Sequence, residues 1–142
     1  MNNKLTDRKK FITDFYTLLL LHKQPDAASY WVSLHTNSDF DLFNRVFFYH
    51  CLSEEYIVAA ALWLEQLMID TLKEQEYGIT LQDQHQNADG YTPPKTGFVF
   101  NGIMNDVNIP FKVFQYLANN SEIKAISTIC TEHISFLQKY QK

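Results

Sequence analysis

Residues 53–78 read SEEYIVAAALWLEQLMIDTLKEQEYG, and this stretch decides the fold. Its apolar positions recur at the three- and four-residue spacing of an α-helix, and from Ile57 to Leu64 they cover most of the girth. The only clearly polar strip is narrow: Glu55, Gln66, Asp70 and Lys73. A helix apolar on nearly every side has to be surrounded by neighbours, so this one is predicted to sit at the centre of an all-α domain. Ser53 is read as its start, with Glu54 and Glu55 in a first turn where negative charge complements the helix dipole. Gly78 is read as the residue just past its end, so the predicted helix covers about 54–77.

On the N-terminal side, Thr6 precedes a helix to about His22 that carries Phe11, Phe15, Leu18 and Leu19 on one face. Pro25 suits a first turn and is followed by Ala27, Ala28, Trp31 and Leu34. A third helix is expected from about Phe40 to Cys51, carrying Leu42, Phe43, Val46, Phe47 and His50. On the C-terminal side, residues 79–97 form a polar loop, because Pro93 and Pro94 cannot continue a helix. Phe98 to Met104 reads as a helix, although Phe98 to Phe100 also suits an extended segment. Pro110 opens another helix, and Ser121 is read as the cap of the last, which carries Ile123, Ile126, Cys130, His133, Leu137 and Tyr140. The expectation is one domain over residues 1–142, with five to seven helices packed as αα-hairpins around the long one. A shift of about 67 positions lays Asp39, Val46, Phe47 and Tyr49 over Asp106, Val113, Phe114 and Tyr116. An internal duplication explains that register, and so does chance likeness between two amphipathic helices.

Composition narrows the class. Among 142 residues, 46% are hydrophobic and 20% charged, which excludes an intrinsically disordered chain. The longest apolar run, Tyr56 to Leu64, is too short to cross a membrane. Cys51 and Cys130 lie far apart, a usage that fits a reducing compartment, so a soluble cytoplasmic protein is expected.

No motif of established chemistry is present. Cys130 and His133 share a helix face, but no second pair completes a zinc site. His50 and Cys51 are adjacent and therefore point about 100° apart on a helix, so they do not form a nucleophile and base. His85, Asn87, Asp89 and Gly90 mimic the start of a calcium loop whose twelfth position is Thr96 rather than Glu. Neither a metal nor a cofactor is expected. Glu65 projects onto the edge of the apolar stripe and needs a partner, for which Arg45 on the preceding helix is the natural choice.

The charge map is uneven. Residues 39–89 hold Asp39, Asp41, Glu54, Glu55, Glu65, Asp70, Glu74, Glu76, Asp83 and Asp89 against only Arg45 and Lys73, a balance of −8 in a chain whose total is −4. Such a run is either a solvated face or a docking surface for a basic partner. The second reading makes the protein a non-enzymatic binding module, an acidic inhibitor of the immunity-protein or antitoxin kind that blocks a nuclease-like partner. Glu55, Asp70, Glu74, Glu76, Asp83 and Asp89 would supply the charge, with Tyr77 and Tyr91 as aromatic anchors. No basic stripe supports direct nucleic-acid binding. Two other readings fit the same residues: a self-associating helical adaptor, and a small ligand-binding protein or enzyme with its site at the 79–97 loop.

Overall fold

A computed structural model describes residues 3–37, 41–77 and 95–141. All seven elements among these residues are helices: α1 (Asn3–Leu21), α2 (Pro25–Asn37), α3 (Arg45–Ser53), α4 (Ile57–Tyr77), α5 (Lys95–Met104), α6 (Phe111–Asn120) and α7 (Lys124–Leu137). The all-α single domain expected from the sequence is what is found. Helix α5 settles the alternative at Phe98 to Phe100 in favour of helix.

Helix α4 is the hub, packed against α3, α5, α6 and α7, while α1 pairs with α2 and α6 with α7. Its Ala59 to Leu64 are all buried, together with Leu67 and Met68. The small Ala59-Ala60-Ala61 run leaves room for large neighbours. Phe48 stacks on Trp63 with ring centroids 5.2 Å apart. A chain of edge-to-face contacts leads away from there: Phe15 to Trp31 at 4.7 Å, Trp31 to Phe47 at 5.2 Å, and Phe11 to Phe43 at 5.4 Å. Both indoles are fully buried and both find an acceptor, Trp31 Nε1 donating to the Ile12 carbonyl at 3.0 Å and Trp63 Nε1 to that of Leu42. Most of the described aromatics of the N-terminal half thus belong to the core or pack against it, with Tyr16 exposed.

Several predicted boundaries move. Thr6 lies inside α1 rather than before it, and α5 opens at Lys95, within the expected 79–97 loop, whose residues 79–94 lie outside those described. The third helix starts at Arg45 rather than Phe40, because the Asn44 side chain accepts from the Val46 N–H at 2.9 Å and caps it there. Ser53 does not start the central helix; it ends α3. Glu55 takes the left-handed conformation at φ 63°, Tyr56 N–H returns to the Cys51 carbonyl and Glu55 N–H to that of Leu52. This is a Schellman stop, built without the usual glycine. Glu54 and Glu55 therefore follow a helix C-terminus instead of filling a first turn. The end of α1 repeats the device: Lys23 sits at φ 60°, with Gln24 N–H bonded to Leu19 and Lys23 N–H to Leu20. Finally, α7 begins at Lys124, and Ser121 lies in the turn before it.

The two stops are equivalent positions. Lys23 and Glu55 are as far apart along the chain as the buried pairs Phe15 and Phe47, Leu19 and Cys51, Ala28 and Ala60, and Trp31 and Trp63. Between α3–α4 and α6–α7 a second constant spacing relates the buried pairs Phe48 and Phe114, Cys51 and Leu117, Ala60 and Ile126, and Leu64 and Cys130. That spacing is one residue shorter than the one the sequence comparison suggests. The correspondence is one of packing register, as expected for stacked αα-hairpins with turns of similar length.

The α5–α6 connection is held from the far end of the chain. The Gln141 amide donates to the carbonyls of Val107 and Ile109, and its oxygen accepts from the Phe111 N–H, an orphan donor of the first turn of α6. Tyr49 of α3 donates to Asp106 at 2.9 Å, and burial beside that carboxylate pushes its pKa up to about 12.

Candidate cleft between α1, α4 and the α6–α7 turn

The end of α1, the middle of α4 and the turn joining α6 to α7 border a cleft of about 370 Å³. Its apolar walls come from Leu18 on α1, Leu62 and Ile69 on α4, and Leu117 and Ile123 on either side of the turn. Its polar groups are His22, Glu65, Tyr116, Asn120, Ser121 and Glu122. The volume lies at the low end of the range for a ligand cleft, and the lining is about evenly polar and apolar.

Glu65 is placed by α4 and oriented by the turn. Ser121 Oγ donates to Glu65 Oε2 at 2.7 Å and accepts from the Ile123 N–H at 3.2 Å. The serine is thus a bridge between an orphan backbone donor and a half-buried carboxylate. Ser127 Oγ fixes the same turn from the other side by donating to the Ala118 carbonyl at 2.9 Å. Glu65 Oε1 takes no hydrogen bond from a described residue. Across the cleft, the Tyr116 hydroxyl lies 3.5 Å from His22 Nδ1. His22 therefore meets Tyr116 rather than Ser121, and the three polar groups do not line up as a Ser–His–carboxylate relay. Of the lining residues, none is Lys or Arg and two are Glu, so the cleft is acidic.

The expected Arg45–Glu65 ion pair does not form. Ser121 meets the need of Glu65 for a partner, while Arg45 is exposed at the start of α3. Its guanidinium lies over α5 instead, where a Cβ placed on Gly102 would sit 3.1 Å from one of its nitrogens. The hairpin turn at Glu54 and Glu55 sets α3 against α4 in a register that takes Arg45 away from Glu65.

Of the expected docking residues, Glu55 is exposed, at the mouth of a second cleft of about 360 Å³ that also touches Lys23, Asp26 and Tyr56. Asp70 is not at the surface: it is 6% exposed, so it cannot meet a partner without rearrangement. Glu74, Glu76 and Tyr77 belong to α4, but their side chains, and the whole of Asp83, Asp89 and Tyr91, lie outside the described residues. His22, Tyr116, Asn120, Ser121 and Glu122 were not anticipated. They come from segments about a hundred residues apart, and only Glu65 carried a signal, its position at the edge of an apolar stripe.

Both cysteines are buried free thiols. Burial pushes each up to about 12, and for Cys130 the Glu65 carboxylate adds to the effect, so neither has thiolate character at neutral pH. No group of three or more His, Cys, Asp or Glu residues arranged to hold a metal ion occurs among the described residues, nor is any helix there long and apolar enough to cross a membrane. Comparison with family models, curated proteins and solved structures gives no match to this chain.

Proposed function

We propose that the protein is a non-enzymatic binding module that docks on a basic protein partner and blocks it, in the manner of an immunity protein or antitoxin. The observation that supports this reading best is the acidic cleft, where Glu65 and Glu122 stand among apolar walls and no lining residue is Lys or Arg. A partner that uses Lys or Arg to grip phosphate would offer the complementary charge. The exposed Glu55 and the −8 balance of residues 39–89 add long-range attraction, which raises the rate of encounter. Glu74, Glu76, Tyr77, Asp83, Asp89 and Tyr91 belong to the proposal as further contacts, and Asp70 leaves it. A reducing cytoplasmic setting belongs to it as well.

The test is capture of a partner from the source cells with the full chain as bait, followed by charge reversal at Glu55→Lys and Glu122→Lys. Both side chains are exposed, so the fold should tolerate the changes. The expected result is a basic partner whose binding to the reversed protein is weakened at least about tenfold. A partner held equally well by the reversed protein would overturn the reading. Self-association is the second reading, favoured by the 77% exposure of Phe98 on α5.

A further inference from the structure

We infer that the cleft between α1, α4 and the α6–α7 turn is the seat for one arginine side chain of the basic partner, a step that rests on the binding-module reading. Several features of the cleft fit a guanidinium on an apolar stem. Glu65 is half-buried and lines the cleft; Ser121 holds its Oε2, and its Oε1 takes no hydrogen bond from a described residue. Glu122, exposed at the rim, supplies a second carboxylate. The partly buried Tyr116 offers a ring, on which a planar guanidinium stacks better than an ammonium does. Leu18, Leu62, Ile69 and Ile123 provide apolar wall for the three methylenes, where water would otherwise be held at a cost. The Ser121 bridge holds the carboxylate in place before binding, so little side-chain freedom is lost on capture.

The second cleft is a poorer seat for a cation. It is bordered by Lys23 as well as by Asp26 and Glu55, so its own ammonium group competes for the carboxylates. His22 and Lys23, consecutive in the chain, thus border two clefts of different character.

The experiment uses the full chain labelled for NMR and three short capped peptides, Gly-Arg-Gly, Gly-Lys-Gly and Gly-citrulline-Gly. The arginine peptide is expected to shift the amides of Glu65, Tyr116 and Ser121 to Ile123, to bind more tightly than the lysine peptide, and to lose at least about tenfold on Glu65→Gln. Glutamine keeps an oxygen for Ser121, so that substitution removes charge and leaves the turn in place. Glu122→Gln, at an exposed site, gives a second variant with the same expected direction. Equal binding of the citrulline peptide, shifts confined to other surfaces, or an arginine affinity untouched by both variants would each overturn the inference. The two proposals fail separately. A captured partner that is sensitive to Glu55→Lys but indifferent to Glu65→Gln removes the arginine seat and keeps the binding module. Absence of any basic partner removes the binding module, whatever the peptides do.

Discussion

His133 shows how much a single buried side chain can report. Its ring lies between Phe114, at 4.5 Å, and Phe136, at 5.3 Å, and the residue is 8% exposed with no hydrogen bond to Nε2. Burial penalises the charged ring and pulls its pKa below the ordinary 6.5. The unfolded chain takes up the proton near 6.5 and the folded chain only at lower pH. Between those two values the unfolded state binds more protons, so stability is lost as the solution is acidified. Urea midpoints at about pH 7.5 and about pH 5.5 should fall further for the native protein than for His133→Phe. An identical fall in both would mean that the ring pays no such penalty. Cys130 lies one turn earlier on the same helix face. Both residues are buried on that face, His133 against Phe114 of α6 and Cys130 near enough to α4 to feel the Glu65 carboxylate.

At the scale of the elements, the informative feature is the pair of left-handed stops at Lys23 and Glu55. A side chain in that conformation costs about 1–2 kcal/mol, part of which glycine gives back in the entropy of the unfolded chain. Lys23→Gly and Glu55→Gly are therefore each expected to stabilise the fold by roughly 0.5–1 kcal/mol, raising Tm by a few degrees. Glu54→Gly, at φ −90°, should lower it, since no left-handed strain is relieved there. Calorimetry on the three variants checks the assignment. These stops also explain why the α3–α4 boundary was misplaced from the sequence. Serine followed by two glutamates has the composition of a helix start, and the non-glycine left-handed residue that ends α3 leaves no mark in the sequence. The central helix itself was legible from Ile57 onward, because its three- and four-residue spacing is sustained over many turns.

For the whole molecule, the question is how the acidic residues are distributed once the helices pack. Asp70 falls on the polar strip of an isolated α4, yet it is buried, because α4 is approached by α3, α5, α6 and α7 together and little of its girth is left to water. A helical projection ranks the sides of one helix and contains nothing about what covers them. Glu65 behaves differently: its place at the stripe edge was legible, but its partner was not, since Ser121 reaches it only through the packing of α6 on α4. The acidic groups that do reach the surface should act at long range. Association with the captured partner is expected to slow at least about tenfold between about 50 mM and 500 mM salt, with the dissociation rate changing less. Stopped-flow mixing or surface capture would measure both rates. Self-association through exposed apolar side chains would instead be indifferent to salt or strengthened by it.

By itself, the amino-acid sequence determined the helical class, the central place of α4, many of the apolar positions that became the core (though Val46, Ile123 and Tyr140 are exposed), and the excess of negative charge in the middle of the chain. All of these follow from local spacing and composition, which the chain carries wherever its segments end up. Tertiary structure alone decided that Glu65 pairs with Ser121 rather than Arg45, that Asp70 is enclosed, and that His22, Tyr116 and Glu122 share a cleft. Those relations join positions far apart in sequence. They exist only once the hairpins have stacked in one register, and no local pattern encodes that register.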